Sequence, residues 1–322
     1  MCYNGTVNHK EFASSLRGVF GFPVTPFHKD LSLDLKGLAR NVDEMAAHPF
    51  CAMVAAGGTG ELYSLSVDEI EAVVKTTVDA VNGRMPIVAG TGFNTPMGAE
   101  IAKRLEKAGA DCILVLPPYY SHSPMEGVID YYETIGKATG LPLMIYSRDW
   151  AAFTPQQVAR IAERVPSLVC WKDGQGDVRK YQRIMNFVGD RLAWIGGLGD
   201  DCIPGYFSIG VQAYTSSISN IAPKLSIDIA LQSFCFRLVL SFSELMYQRE
   251  YTRAPVLAHA LLEGEKIALP DAGFPAMFLD ASAKYDTLLR IPRQECQRIL
   301  VLYQQVAPTL LGKAGLIRRL AQ

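Results

Sequence analysis

One lysine stands where an ammonium group is unexpected. Residues 168–177 have the sequence LVCWKDGQGD, so Lys172 ends an apolar run and precedes a glycine-rich break. A lysine at the end of a strand is commonly a solvated charge. If Cys170 and Trp171 keep water away, however, desolvation lowers the pKa of the amine, which then attacks a carbonyl carbon. The position therefore suggests a Schiff-base lysine, a role that arginine cannot take.

Two further segments contain residue types that suit the same chemistry. Tyr146 lies in LMIYSRD, near the end of the preceding apolar run, where a phenol shuttles protons to and from a carbinolamine. Its alternative is an aromatic side chain that closes a core. The segment GGTGE, residues 57–61, places three glycines around Thr59, and its exposed backbone amides suit a carboxylate. A plain tight turn is the alternative there.

The elements that must position these residues are strands and helices in alternation. Eight apolar runs occur, nearly continuous in Val, Ile, Leu, Ala and Cys, as expected for parallel strands covered on both faces. The seven steps between them average about 27 residues, which suits a strand plus a crossover helix. The runs are GVFGFPVTPF from Gly18, FCAMVAAGG from Phe50, PIVAGTG from Pro86, ADCILVLPPYY from Ala110, LPLMIYSR from Leu141, LVCWKDG from Leu168, LAWIGGLGD from Leu192 and GVQAYTSS from Gly210.

Helix start signals occupy the segments between these runs. SVDE at residues 66–69 is a capping box ahead of an amphipathic pattern that ends at Gly83. Three times a serine or threonine is followed directly by a proline, which predicts a capping hydroxyl and a proline at the first helical position. These pairs are Thr95 with Pro96, Ser123 with Pro124, and Thr154 with Pro155.

The alternation predicts an α/β protein, a (β/α)8 TIM barrel with a helical C-terminal extension, and an open doubly wound sheet is the alternative. We expect an N-terminal arm at residues 1–17 and the barrel at residues 18–221. Residues 222–322 show helical spacing and are predicted to complete the barrel and form the extension.

Composition limits the possible partners. The 322 residues are 49% hydrophobic and carry a net charge of −1, so the chain has material for a large core and no charge footprint for nucleic acid or an anionic membrane. No signal-peptide pattern and no membrane-spanning apolar run occurs, which predicts a cytoplasmic protein. The five histidines form no HxH or HExxH pattern, and the seven cysteines form no CxxC pair, so no metal site is predicted.

Several motifs together resemble one superfamily. The sequence resembles the dihydrodipicolinate synthase and N-acetylneuraminate lyase superfamily in four motifs and in their order at the predicted strand ends. These motifs are AAGGTGEL, the PPYY of residues 117–120, IYSRD and WKDG. The likeness spans most of residues 18–220. FPVTPF, AAGGTGE, YSRD, KDGQGD and IGG are most similar to the 5-dehydro-4-deoxyglucarate dehydratases within it.

The resemblance implies roles for individual residues. Lys172 would form the Schiff base, with no other cofactor, and Tyr146 would relay protons. Gly58 and Thr59 would bind the carboxylate beside the keto group. Thr59 would also link Tyr146 to a tyrosine of a neighbouring subunit in a homotetramer, which ungapped counting places at Tyr120, with Tyr119 as the alternative.

The chain also departs from its relatives near Tyr146. The family pattern of Tyr, Asn, any residue and Pro is absent, because Ser147, Arg148 and Asp149 follow Tyr146. This departure speaks against dihydrodipicolinate synthase activity. The dehydratase relatives tend to have RDN where this chain has Arg148, Asp149 and Trp150, so the resemblance assigns no contact to Trp150.

The implied substrate is a 2-keto sugar diacid. Arg148 is the candidate for its distal carboxylate, since a guanidinium binds one bidentately, and an ion pair with Asp149 or Asp173 is the alternative. Gly197, with Gly196, and Ser217 or Ser216 are candidates for the rest of the pocket, unless they serve only turns and strands.

We expect a lyase that dehydrates and decarboxylates 5-dehydro-4-deoxy-D-glucarate. The alternatives are a retro-aldol lyase that releases pyruvate from a 2-keto sugar acid and a non-catalytic sugar-acid binding protein.

Overall fold

The barrel predicted from the alternation is present. The computed structural model describes residues 9–118 and 123–233, and within them eight parallel strands form a closed barrel in the order β1 to β8. The alternative of an open doubly wound sheet is therefore wrong, because β1 pairs with β8 as well as with β2. The strands are β1 Gly18–Gly21, β2 Ala52–Ala55, β3 Ile87–Thr91, β4 Cys112–Val115, β5 Leu143–Ser147, β6 Leu168–Asp173, β7 Ala193–Gly196 and β8 Ala213–Ser216.

Helices follow the strands along the chain. Nearly every strand residue is buried, as expected when helices cover the outside of a barrel and side chains fill its inside. The helices are α1 His9–Ser15, α2 Leu35–Ala46, α3 Val67–Val81, α4 Thr95–Lys107, α5 Met125–Lys137, α6 Pro155–Arg164, α7 Val178–Val188 and α8 Ile203–Ser208. Residues 223–233 are also helical. No helix in the described ranges is both long and apolar enough to span a bilayer.

Two of the predicted helix starts are confirmed. The Ser66 hydroxyl accepts a hydrogen bond from the Glu69 amide, and the Glu69 carboxylate accepts one from the Ser66 amide, so the capping box of α3 is formed. Thr154 caps α6 with Pro155 in the first turn, and Gln157 completes a second capping box. These helices begin at the predicted places because each cap satisfies amides that a helix N-terminus leaves without partners.

The other two predicted starts are wrong by one residue. The cap of α4 is Asn94, whose side chain accepts from the Met97 amide, and Thr95 already belongs to the helix. The side-chain oxygen of Asn94, one residue earlier, accepts a hydrogen bond from the first turn of the helix just as a threonine hydroxyl would. At α5 the cap is Pro124, without a side-chain hydrogen bond, and Ser123 precedes it.

The proposed domain boundaries extend beyond the described residues. Part of the N-terminal arm forms α1, whose Phe12 is buried. The described part of the C-terminal segment is helical up to residue 233, and residues 234–322 lie outside the described ranges. The helical extension therefore stays a prediction.

The observed cap of α4 makes a stability prediction. Asn94→Ala should lower the free energy of unfolding by about 1 kcal/mol, because it removes the oxygen that caps the Met97 amide. Thr95→Ala, its matched control, should change the free energy by less than about 0.5 kcal/mol. Chemical denaturation followed by circular dichroism measures both. The reverse order of effects would contradict the cap assignment.

Candidate active site

The barrel brings Lys172 and Tyr146 together at its carboxyl end. They are register partners at the ends of β6 and β5, and both side chains are buried, with 3% of Lys172 exposed. The Lys172 Nζ lies 3.3 Å from the centroid of the Tyr146 ring and 5.6 Å from that of Phe22, which follows β1. The amine thus lies at the end of the barrel where active sites of this architecture form.

The surroundings of Lys172 favour the neutral amine. Burial lowers its pKa, and the nearby positive charge of Arg148 acts in the same direction. Interactions with Tyr146 and Asp173 oppose the shift without cancelling it. A free amine is the form that attacks a carbonyl carbon, so the sequence-based expectation of a desolvated lysine agrees with the geometry.

Tyr146 lies beside two basic side chains, those of Lys172 and Arg148. Burial raises the pKa of Tyr146, but positive charge on Lys172 and Arg148 lowers it by more. The net pKa is therefore below the ordinary value for tyrosine. The Arg148 Nη1 donates a hydrogen bond of 3.2 Å to the Tyr146 hydroxyl oxygen. Arg148 also forms an exposed ion pair with Asp149, with 3.6 Å between Nε and Oδ2. A phenol with a lowered pKa ionises more readily, and its phenolate form can accept a proton.

The glycine loop after β2 lies at the same end of the barrel. Gly58 is exposed and Thr59 is half-buried there. The Thr25 hydroxyl donates to the Gly60 carbonyl at 2.7 Å and ties this loop to the segment after β1. Within the described ranges no hydrogen bond joins Thr59 to Tyr146, whose hydroxyl accepts instead from Arg148.

The ends of β7 and β8 hold the remaining candidates. Gly197 is buried, and a Cβ atom placed on it would lie 2.2 Å from the Asp173 carbonyl oxygen and 3.1 Å from the Lys172 Nζ. The contact with the Asp173 carbonyl is too close for a side chain, so glycine is required. Ser217 is exposed, whereas Ser216 is buried and its hydroxyl accepts from the Ser219 amide at 3.2 Å.

The loop after β4 is described only in part. Tyr119 and Tyr120 lie outside the described residues, so their proposed relay role stays a prediction. The Trp150 indole donates to the Pro118 carbonyl at 3.0 Å, which joins the exits of β5 and β4. The sequence assigned no contact to Trp150, because the resemblance offers no counterpart for a tryptophan at this position.

The structure gives the residues of KDGQGD after Lys172 contacts that the sequence did not predict. Asp173 is buried and accepts from the Tyr206 hydroxyl and, at 3.1 Å, from the Gly176 amide. A Cβ atom on Gly174 would lie 2.4 Å from the Tyr146 Cε2, so that glycine makes room for the ring. Asp177 caps α7. The motif KDGQGD contains these residues, but their partners, such as Tyr206, lie far away in the sequence and are identified only by the fold.

No cation site accompanies these residues in the described part of the chain. No group of three or more His, Cys, Asp or Glu side chains there is arranged to hold a metal ion. The described side chains at the Lys172 site include an amine, a phenol and a guanidinium.

Comparisons with known proteins find a matching family and similar sequences. A model of the dihydrodipicolinate synthetase family matches residues 15–234. A relative from Bradyrhizobium sp. (strain ORS 278), named probable 5-dehydro-4-deoxyglucarate dehydratase, is 41% identical over 211 residues, which cover 65% of this chain and 67% of the relative. A relative of the same name from Xanthomonas campestris pv. campestris (strain B100) is 40% identical over 217 residues, 66% of this chain and 71% of the relative.

Solved structures have the same fold. The crystal structure of dihydrodipicolinate synthase from Oceanobacillus iheyensis matches with a TM-score of 0.64 and 24% sequence identity, covering 92% of this chain and 100% of that chain. The chloride-inhibited dihydrodipicolinate synthase from Acinetobacter baumannii, complexed with pyruvate, matches with a TM-score of 0.63 and 25% identity, covering 85% and 99% of the two chains.

A spectroscopic prediction follows from the two basic side chains beside Tyr146. Tyr146 should ionise at a lower pH than an ordinary tyrosine, because its pKa is lowered. Ultraviolet difference spectroscopy should show this phenolate step, and Tyr146→Phe should abolish it. Arg148→Gln should move the step to higher pH, since one of the two cations is lost. Arg160→Gln, which disrupts an exposed pair with Glu126, is the control and should leave it unchanged.

Proposed function

Because the chain belongs to the dihydrodipicolinate synthetase family, we propose that it is a Schiff-base lyase acting on 5-dehydro-4-deoxy-D-glucarate. The products are 2,5-dioxopentanoate, carbon dioxide and water. The observation that carries the proposal is the buried amine of Lys172, with a lowered pKa, over the ring of Tyr146. The names of the relatives at about 40% identity support the choice of substrate.

The first step joins Lys172 to the keto carbon of the substrate. The neutral amine attacks this carbon, and loss of water from the carbinolamine gives a protonated imine. Tyr146 moves protons between the amine and the departing hydroxyl group. The position of Phe22 and the burial of the amine limit the access of bulk water at this stage.

Dehydration follows from the acidity that the imine confers on the neighbouring methylene. Tyr146, as phenolate, removes a proton from this carbon, and the electron pair forms an enamine. The enamine then expels the hydroxyl group of the next carbon, which leaves as water after taking up a proton. The product is an iminium conjugated with a new carbon-carbon double bond.

Decarboxylation uses the same conjugated system. The bond between the distal carboxylate and its hydroxylated carbon breaks, and its electron pair moves through the double bonds to the nitrogen. The resulting enol becomes an aldehyde by proton transfer. A proton from solvent then adds to the carbon of the remaining enamine and restores the imine, which water hydrolyses to release 2,5-dioxopentanoate. Lys172 provides the electron sink throughout, so the proposal includes no metal or organic cofactor.

Binding of the two carboxylates is assigned to opposite sides of the amine. The backbone at Gly58 and Thr59 is proposed to hold the carboxylate beside the imine, where exposed amides suit an anion. Arg148 is proposed to hold the distal carboxylate with its guanidinium fork. Gly197 and Ser217 line the remaining wall in this proposal.

The proposal includes an oligomer. Tyr120 of a neighbouring subunit completes the proton relay through Thr59 in a homotetramer, as the resemblance implies. A single chain would then bind the keto acid but transfer protons slowly. The small-molecule substrate is the only partner that the reaction requires.

Replacement of the nucleophile should abolish the reaction. Lys172→Ala is expected to leave no measurable turnover, and borohydride with the substrate should label the wild-type peptide that contains Lys172 but no peptide of the variant. Mass spectrometry locates the label. Turnover at the wild-type rate by Lys172→Ala would refute the Schiff base.

Loss of the phenol should separate imine formation from proton transfer. Tyr146→Phe is expected to retain borohydride labelling but to lower kcat by about a hundredfold or more, with a smaller effect on KM. Unchanged turnover would remove Tyr146 from the mechanism.

Product analysis identifies the type of reaction. Wild-type enzyme should release carbon dioxide from 5-dehydro-4-deoxyglucarate without pyruvate. Pyruvate release would instead show a retro-aldol lyase. Thermal stabilisation by the substrate without either product would show a binding protein.

A further inference from the structure

The residue after Lys172 is a buried carboxylate that the proposed reaction does not use. Asp173 is 4% exposed, and strand alternation directs it to the face of β6 opposite to Lys172. Its Oδ2 accepts from the hydroxyl of Tyr206, on α8, and from the amide of Gly176. A buried charge needs such donors, since an uncompensated carboxylate is costly to bury.

The loop that Asp173 anchors lies against the active site. The Gly174 amide donates to the Ser147 carbonyl at 2.8 Å, and the Gln175 side chain donates to the Asp149 carbonyl at 3.2 Å. Gly174 also packs so closely on the ring of Tyr146 that a Cβ atom has no room. Both the proton relay and the turn that presents Arg148 therefore contact the loop.

A continuous path of contacts thus runs from α8 to the phenol. It begins at the Tyr206 hydroxyl, continues through the Asp173 carboxylate to the Gly176 amide, and reaches Tyr146 through the packing of Gly174. The positive φ of Gly176, +76°, lets the loop turn its amide back towards Asp173. Every member of the path is buried or half-buried, which limits competition from water.

We propose that Asp173 and Tyr206 are positioning residues that hold the loop of residues 174–177 against Tyr146 and so set the orientation of the phenol relative to Lys172. The catalytic part of this inference rests on the proposed function. The structural part, the anchoring of the loop, does not.

Tyr206→Phe tests the pair, with Tyr181→Phe as the matched control. Tyr181 is also buried, its ring centroid lies 5.7 Å from that of Tyr206, and its hydroxyl donates to the carbonyls of Trp171 and Ile195. Each variant therefore removes one buried hydroxyl from a pair of neighbouring tyrosines. Of these two hydroxyls, that of Tyr206 bonds to Asp173 and that of Tyr181 does not.

Two measurements are made on the full-length variants. Hydrogen–deuterium exchange with mass spectrometry follows the amides of residues 174–177, whose Gly174 and Gly176 amides are hydrogen-bonded. Steady-state kinetics and borohydride labelling with 5-dehydro-4-deoxyglucarate follow the site. Thermal melting is recorded to compare the loss of stability in the two variants.

Tyr206→Phe should accelerate exchange in residues 174–177 and lower kcat on the order of tenfold, with little change in KM and with borohydride labelling retained. Tyr181→Phe should leave exchange in this loop and kcat within about twofold of wild type, even where melting falls equally. Equal effects of the two variants, or no effect of Tyr206→Phe, would overturn the proposal.

Substitution of the carboxylate gives a second test. Asp173→Asn retains an oxygen that accepts the same two hydrogen bonds, so it should retain a kcat about tenfold above that of Asp173→Ala. Equal losses of kcat in the two variants would show that the hydrogen bonds do not matter. If Asp173→Ala does not fold, the comparison of Tyr206→Phe with Tyr181→Phe decides.

Failure of the proposed function would look different. In that case the wild-type enzyme would not convert 5-dehydro-4-deoxyglucarate, while Tyr206→Phe would still accelerate exchange in residues 174–177 relative to Tyr181→Phe. Active wild-type enzyme with an unchanged loop in Tyr206→Phe would instead reject the positioning pair alone.

Discussion

The site depends on one constraint, the burial of the Lys172 amine against the ring of Tyr146. An ammonium group loses hydration in that position, so the pKa of Lys172 falls. A larger fraction of the side chain is then the neutral amine. The aromatic face at 3.3 Å from Nζ compensates part of the lost hydration through a cation–π contact whenever the amine is protonated. Glycine at position 197 keeps the strand ends close together, because a Cβ atom there would overlap the Asp173 carbonyl and lie 3.1 Å from the same nitrogen.

Closure of the barrel brings the residues of this site together from distant parts of the chain. Phe22 approaches the amine of Lys172 only because β1 pairs with β8 and completes the circle. Asn220 strengthens this junction, since its side chain donates to the Phe22 carbonyl at 2.6 Å and accepts from the Val24 amide at 3.0 Å. The parallel strands place Lys172 and Tyr146 in register, and the loops after them add Arg148 and the glycines.

The fold was largely predictable, whereas the site was predictable only in part. The eight strands follow from apolar runs that both faces of a parallel strand require, and the capping boxes of α3 and α6 follow from local hydrogen bonding. The start of α4 was misplaced because Asn94 and Thr95 are both competent caps, and local sequence does not decide between them. For Arg148 the sequence allowed a carboxylate ligand or an ion pair, but its hydrogen bond to Tyr146 depends on how the exit of β5 turns.

The sequence by itself determined the alternation of strands and helices, the strand ends on which Lys172 and Tyr146 lie, and the glycines that follow Lys172. These features depend on contacts between near neighbours in the chain, so residue type and spacing predict them. Only the tertiary structure decided that Lys172 faces Tyr146 and Phe22, that Arg148 reaches the phenol, and that Asp173 bonds to Tyr206. These pairs form between side chains on different strands, turns and helices, and the burial that shifts their pKa values exists only once the barrel has closed.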